Sequence, residues 1–397
     1  MVPVSRLRPG MYVHDLNCSW LKHPFARKRF LIEAVDTIRK IRQIGVDQIY
    51  IDTEKGLDIL PEKQEVEHAL EPANEPFSAD GKGKETQSRR KTVAGHARRV
   101  FGEANRVLRD LMSDVKLGKQ IEVEGMKPVV EEMVTTIFDN QDALMALTRV
   151  RQRDEYTFQH SLSVTVLLIA FAKSLGMSRE EVEQIGIGGL VHDIGKTRTP
   201  DHILNKPGRL TEEEFRIMRE HVVHSRTILE ETPGISDIAM GVAAEHHERW
   251  DGTGYPLGLK GEQISFSGRM AAIVDVYDAL TADRVYHKGK TPQETLAMVV
   301  KSGGSHFNPD LVKHFVHSVG IYPVGSLVRL ESGRLAVVVA SGRDGVLRPK
   351  VRPILDIKRR TFIVEADIDL ADDSAGDRIV SSESEEQWNL RPEQFMD

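Results

Sequence analysis

Apolar residues recur at helical spacing through the middle of the chain and in short strand-like runs towards both ends. Met11-Tyr12-Val13 and Gln48-Ile49-Tyr50-Ile51 read as strands, with Gly10 and Gly56 at turns. Between them Phe30, Leu31, Ala34, Val35, Ile38, Ile41 and Ile44 predict one helix, preceded by a loop at Lys22-His23-Pro24-Phe25. Residues 1–60 thus read as a small α/β module with nothing catalytic in it; His14 and His23 read as surface histidines. Over residues 61–88 Glu, Lys, Pro, Gly and Ser displace apolar residues, the composition of a flexible linker. Helical spacing returns from Val93 to Val115 and from Val129 to Leu147. These connecting helices, residues 89–139, could pack as a hairpin or pair across a homodimer.

Residues 140–320 follow as helix after helix. One helix is predicted from His160 to Leu175, ended by Gly176. Another starts at Arg179, with Ser178 and Glu181 at capping-box spacing. A third runs from Glu212, capped by Thr211, to Leu229; a fourth, after Pro233-Gly234, from Ile238 to His247. A glycine-rich loop, Glu248 to Pro256, precedes a helix from Arg269 to Ala282 that carries Asp275 and Asp278. Beyond 320, Leu327 to Leu330, Leu335 to Ala340 and Thr361 to Val364 read as strands of a small β appendage, and the acidic Ser381 to Glu386 as a loose tail. The expected architecture is multidomain and mainly α. An all-α catalytic domain is flanked by a small N-terminal α/β module and a C-terminal β appendage spanning 321–397.

Charge narrows the function. A net charge of −6 gives no general attraction to a nucleic acid polymer or an anionic membrane. The basic Arg89-Arg90-Lys91 and Arg98-Arg99 are soon followed by Glu103 and Asp110, as on a solvated helix face. The single Cys18 rules out an internal disulfide framework and suits a reducing cytosol. No leader-like apolar segment opens the chain and no run of some 18 apolar residues occurs, so a cytoplasmic protein without membrane insertion is expected.

The chemistry concentrates where the histidines do: 11 of 15 fall between 140 and 320. His192 and Asp193 follow the apolar Gly188-Gly189-Leu190-Val191, where a lone carboxylate would cost several kcal/mol or take up a proton. A divalent cation removes that cost. His160, His221, His246, His247 and Asp275 lie on neighbouring elements. Together these five imidazoles and two carboxylates exceed one tetrahedral site and fit two ions bridged by Asp193. Nitrogen and oxygen donors without thiolate suit Fe, Mn, Zn or similar divalent ions; two divalent metal ions are expected, Fe or Mn first, with Zn, Ni, Co or Mg as options. Two such ions about 3.5–4 Å apart are an established arrangement for phosphate ester hydrolysis. His224, a turn beyond His221, is a rival ligand.

Two motifs, His192-Asp193-Ile194-Gly195-Lys196 and His246-His247-Glu248-Arg249-Trp250-Asp251-Gly252-Thr253-Gly254-Tyr255-Pro256, resemble the signatures of the HD-GYP family, a subgroup of the HD-superfamily metal-dependent phosphohydrolases. The resemblance continues through Asp275 to Thr281, Asp283-Arg284 and Phe307-Asn308-Pro309, covering about Arg153 to Ile321. Leu7 to Val13 and Ser19 to Phe25 resemble an uncharacterised domain often found ahead of HD-GYP domains; signalling partners could act through it. The resemblance implies hydrolysis of the second messenger cyclic di-GMP to pGpG, and in some members on to GMP. It implies one metal held by His160, His192, Asp193 and Asp275, and another by Asp193, His221, His246 and His247. Lys196 and Arg284 would contact phosphate, with Asp193 and Lys196 catalytic, and Gly252, Gly254, Tyr255 and Pro256 would shape the substrate pocket. Tyr156 stands where some members carry a third-metal glutamate, which favours two ions. Val285 and His287 depart from the family's usual residues beside the phosphate-binding arginine. Two other readings stay open: an HD-type hydrolase of another nucleotide, and a non-catalytic cyclic di-GMP receptor.

Overall fold

The computed structural model describes residues 2–4, 7, 11–16, 29–32, 35–43, 46, 48–52, 55, 82–149, 156–282, 289–342, 347–363 and 365–396. It divides into two compact units. One combines Met1–Asp80, Leu327–Val337 and Val351–Phe395; the other combines Gly81–Ser326, Val338–Lys350 and Met396–Asp397.

In the first unit, β1 (Val2–Pro3), β2 (Tyr12–Asp15), β3 (Phe30–Leu31) and β4 (Gln48–Ile51) form an antiparallel sheet of order β1-β4-β2-β3, accompanied by α1 (Val35–Gln43). Met11, Val13, Ile32, Ile41 and Ile49 are fully buried in its core. Phe30 and Leu31 sit in a strand, paired with Val13 and Tyr12, rather than in the predicted helix. Two adjacent apolar residues fit either period, and pairing with β2 decides between them. The linker reading for 61–81 falls outside the described residues.

Towards the C-terminus β5 (Leu327–Leu330), β6 (Arg334–Ala340), β7 (Lys350–Asp356), β8 (Thr361–Phe362), β9 (Ile368–Asp369) and β10 (Ile379–Ser382) form a second sheet of order β10-β5-β6-β7-β8, with β9 on β7. Ser381 and Ser382 pair with Arg329 and Val328, so this segment is not the loose tail expected from its charge. The reason is local. The Glu383 carboxylate accepts from Arg329 Nε at 2.8 Å and from the Trp388 indole at 2.8 Å, which converts an acidic stretch into an anchored one.

The second unit is helical. α2 (Lys82–Lys116) begins inside the stretch read as linker and forms a hairpin with α3 (Val123–Leu147), joined across the pair by Arg99–Glu132 at 2.6 Å. The hairpin alternative to cross-dimer pairing is thus formed within the chain. α4 (Tyr156–Ser174) is buried on every face along its middle: Leu162, Val164 and the wholly apolar run from Val166 to Ala172 are all buried. A helix with no solvent-facing stripe over these turns must sit centrally, and α4 packs against α3, α5 (Arg179–Val191), α8 (Phe266–Thr281) and α10 (Pro309–Val319). Each fully buried Leu, Val or Phe of α4 contributes roughly 1.5–3 kcal/mol. The capping boxes Ser178/Glu181 and Thr211/Glu214 start α5 and α6 (Glu212–Glu230) where the sequence places them. α7 (Asp237–Glu245) and α9 (Pro292–Lys301) complete the set.

Candidate metal centre

Five helices bring their ends or faces to one point. His160 comes from α4. His192 caps the C-terminal end of α5, and Asp193 opens the 3-10 turn Ile194–Arg198. His221 lies on α6, His246 at the end of α7 with His247 after it, and Asp275 on α8. All seven donors expected from the sequence meet here. His160, His192, Asp193, His221 and His246 are at most 2% exposed, and only His247 reaches solvent appreciably.

Asp193 divides the cluster. Its Oδ2 lies 3.3 Å from His192 Nε2 and 3.6 Å from His160 Nε2. Its Oδ1 lies 3.3 Å from His221 Nε2 and 3.9 Å from His246 Nε2. Asp275 Oδ1 is 3.0 Å from His160 Nε2, and its Oδ2 is 3.7 Å from His247 Nδ1. The donor atoms of His160, His192 and Asp275 lie within 4.8 Å of one another, as do those of His221, His246 and His247. His160 and His192 of the first set face one oxygen of Asp193, and His221 and His246 of the second face the other, while His192, Asp193 and His246 form a further such group across the two.

The imidazoles are wired for coordination. The Nδ1 atoms of His192, His221 and His246 donate to the carbonyls three residues back, of Gly189, Met218 and Ala243, at 2.7, 2.6 and 3.0 Å. A carbonyl only accepts, so the proton sits on Nδ1 and the Nε2 lone pair points inward. Those three Nε2 atoms and Asp193 Oδ1 are buried without a hydrogen bond. Orphaned acceptors gathered at one point are costly unless a cation joins them, so the residues fit a pair of divalent ions. His160 is held differently, its Nδ1 2.7 Å from Oδ2 of the buried Asp278.

Charge follows the same geometry. Burial pushes the His160 imidazole down, but its hydrogen bonds to Asp275 and Asp278 outweigh this and raise it to about 9. Burial lowers His247 to about 3, and burial with the neighbouring His247 and His192 keeps His246 well below its ordinary value. Burial alone would raise Asp193, yet Lys196, His192 and His221 hold it well below the usual carboxylate range. Asp275 is held down likewise against burial, chiefly by His160.

The surroundings lock these positions. Gly195 has no room for a side chain, since a Cβ would stand 2.0 Å from the His221 carbonyl oxygen. Ser225 Oγ, fully buried, donates to the His192 carbonyl and accepts from the Gly195 N–H, both at 2.9 Å. In the glycine-rich loop the buried Glu248 carboxylate accepts the N–H groups of Leu257, Gly258 and Leu259 at 2.7, 3.1 and 3.0 Å. Gly254 packs directly on the Glu248 backbone, where a Cβ would come 2.5 Å from its Cα. The Tyr255 N–H donates to the His247 carbonyl at 3.1 Å, and its ring centroid lies 4.8 Å from that of His247. Gly252 and the cis-linked Pro256 belong to the same loop.

Lys196 donates its ammonium to Asp193 Oδ2, at the edge of the cluster. His224 does not join the donor sets, although its Nδ1 is buried and unbonded. Arg284, Val285 and His287 lie outside the described residues. Sequence reasoning gave no role to Asp278, Ser225 or Glu248. Only Asp278 left a signal: it follows Asp275 by three positions, which places both carboxylates on one helix face.

A helical unit closing on a buried His/Asp cluster of this composition defines a divalent-metal hydrolase domain of the HD type. Residues 133–311 match the family model described as HD domain, and residues 1–126 match Domain of unknown function (DUF3391). The second match runs past the N-terminal module into α2 and the start of α3. The chain is 39% identical over 391 residues, 98% of its length and 93% of the relative's, to a Pseudomonas aeruginosa protein named cyclic di-GMP phosphodiesterase. A Thermotoga maritima protein of that name is 39% identical over 165 residues, 41% of this chain and 45% of that one. A Vibrio cholerae 3'3'-cGAMP-specific phosphodiesterase is 38% identical over 165 residues, 41% of this chain and 32% of that one. The chain belongs to the HD-GYP family of HD-domain proteins, with the DUF3391 domain at its N-terminus. Among the described residues no helix is long and apolar enough to cross a membrane.

Proposed function

We propose that the protein hydrolyses cyclic di-GMP to pGpG, and pGpG on to GMP, at a centre of two divalent ions, Fe or Mn in the cell. The reading rests on full-length similarity to a named cyclic di-GMP phosphodiesterase. The observation that carries the chemistry is Asp193, whose two oxygens each face a separate set of inward-pointing donors. His160, His192, Asp193 and Asp275 would hold one ion; Asp193, His221, His246 and His247 would hold the other. When bound, such ions supply an activated water and positive charge at the phosphoryl oxygens.

The side chains account for the rest. Water adds to phosphorus in line, the bond from phosphorus to one ribose 3′ oxygen breaks, and that oxygen leaves with a proton. The Lys196 ammonium, which reaches Asp193, would neutralise a phosphate held at the centre and supply that proton. The neutral imidazoles of His246 and His247 remain ligands rather than acids. Glu248 fixes the loop carrying Gly252, Gly254, Tyr255 and Pro256 as one wall of the pocket. The reaction would take place in the cytosol, whose redox poise suits the lone Cys18.

The test is anaerobic purification with metal analysis, then product identification on Mn- and Fe-loaded protein. The panel is cyclic di-GMP, 3'3'-cGAMP, pGpG and a nucleoside monophosphate. Turnover of cyclic di-GMP with pGpG as first product is expected. The similarity to 3'3'-cGAMP-specific relatives favours a second reading, in which that dinucleotide is preferred; a kcat/KM ratio above one for 3'3'-cGAMP would establish it. Tight binding of cyclic di-GMP without turnover at any metal loading would leave only a receptor.

A further inference from the structure

The cations of α6 are unevenly used. Arg216 pairs with Glu213 at 2.7 Å and Glu220 at 3.0 Å, Arg226 pairs with Glu230 at 2.7 Å, and Lys206 reaches Glu214 across the helix start. Arg219, two residues before His221, has no carboxylate partner among the described residues. Its guanidinium instead lies over the Tyr255 ring, 4.1 Å from the centroid. That ring in turn meets His247, with centroids 4.8 Å apart and planes tilted by 32°. An exposed arginine on a solvated helix face usually takes the nearest carboxylate. This one is two ring contacts from a metal-facing histidine, set over an aromatic ring of the loop beside the centre, with no carboxylate paired to it among the described residues.

A cyclic dinucleotide carries two phosphodiesters, and only one can sit over the paired ions in a given turnover. The other brings a full negative charge to the pocket rim, where a planar guanidinium held over an aromatic ring is suited to bidentate phosphate contact. Resting on the functional reading above, we propose that Arg219, supported by Tyr255, binds the second, non-scissile phosphate and thereby selects cyclic dinucleotides over substrates with a single phosphate. Lys196 serves the scissile phosphate at the centre, and Arg219 serves the distal one at the rim. Tyr255 is then a platform for Arg219 as well as a wall of the pocket.

The test compares cyclic di-GMP with bis(p-nitrophenyl) phosphate, a diester with one phosphate, on Mn-loaded wild type, Arg219→Met, Arg219→Lys and Tyr255→Leu. Metal content is measured on each. Arg219→Met should raise KM for cyclic di-GMP about tenfold or more, the size of one charge-assisted hydrogen bond, with kcat within about twofold. The penalty on bis(p-nitrophenyl) phosphate should be several-fold smaller. Arg219→Lys and Tyr255→Leu should fall between wild type and Arg219→Met, since one keeps the charge without the planar fork and the other removes its support. Equal losses on both substrates, or loss of metal from Arg219→Met, would show that Arg219 only steadies His221 and would overturn the inference. Wild type that cleaves bis(p-nitrophenyl) phosphate but not cyclic di-GMP would remove the functional reading and this inference with it.

Discussion

The two halves of the donor cluster are built from the same residue types but differ in how they are supported. In the half formed by His160, His192 and Asp275, one imidazole is backed by a carboxylate, Asp278, and a second carboxylate lies among the donors. In the half formed by His221, His246 and His247, two imidazoles lean on main-chain carbonyls and no carboxylate belongs to that half alone. The first half is shut off from solvent, whereas His247 keeps 24% of its side chain exposed beside Tyr255. Negative charge and burial favour tight, permanent retention of a cation; neutral imidazoles and an open side favour exchange with water and substrate. On the proposed reading, the same kit of ligands would yield one anchoring position and one working position, joined by Asp193.

The largest effect should come from the shared residue. Asp193→Ala removes a donor from both halves at once, so both ions should be lost together. Turnover of cyclic di-GMP should fall by more than the roughly 10²–10³-fold cost of losing one electrostatic contact in other enzymes. Metal analysis with circular dichroism as a fold control reads this directly. A variant that kept one ion would mean the halves are independent and the bridge is not a bridge.

Asp275→Asn and His247→Asn sharpen the contrast. Each should reduce bound metal from two ions to one, but in different halves. Asp275→Asn should be the harder to rescue with excess metal, because it removes charge as well as a donor. Equal rescue would abolish the distinction between anchoring and working positions.

Asp278→Asn comes next, at about 10–100-fold in affinity for the first ion, the usual cost of losing a carboxylate behind a ligating histidine. It also has a pH signature. In the metal-free protein His160 is raised to about 9, so below that pH an entering cation must displace a proton. First-half affinity should therefore climb from pH 6.5 towards 9 and then level off. The folding sign is the reverse: the charged His160 stabilises the metal-free protein fully below its ordinary 6.5, and that contribution is lost as pH rises through 9. His247, lowered to about 3, holds no proton in this window and adds no such climb to second-half affinity. Asp278→Asn takes away one of the groups raising His160, and should move the climb to lower pH. Isothermal titration with Mn at several pH values separates the two curves.

How much of this could be read from the chain depends on whether a residue acts through its own type or through a contact. The adjacent pairs His192-Asp193 and His246-His247, with His160, His221 and Asp275 on neighbouring helices, were legible because buried imidazole and carboxylate have few other uses. Asp278 was visible only as a second acid on α8, since its role depends on which way the His160 ring faces. Glu248 lies inside the most conspicuous motif, yet its partners are main-chain N–H groups nine to eleven residues on, which carry no side-chain signal. The same limit holds for the fold. The helix ended by Gly176 and the capped starts of α5 and α6 were plain, while Phe30-Leu31 satisfied two periodicities and the acidic Glu383 gave no hint of Arg329 and Trp388.

The smallest effect tests whether the working half depends on its wall. The Glu248 carboxylate is 1% exposed and ties Leu257, Gly258 and Leu259 to the residue that follows His247. Glu248→Ala would orphan three N–H groups at roughly 1–3 kcal/mol, whereas Glu248→Gln keeps one oxygen in place and should cost less. Because the Tyr255 N–H donates to the His247 carbonyl, slack in this loop should reach His247 and leave His160 untouched. The expected outcome is a melting temperature lower by a few degrees, a modest loss of second-ion affinity and a higher KM, with the first ion retained. Should Glu248→Ala shed the first ion as readily as the second, the loop supports the whole centre, and the division drawn at Asp193 would not describe how the site is held.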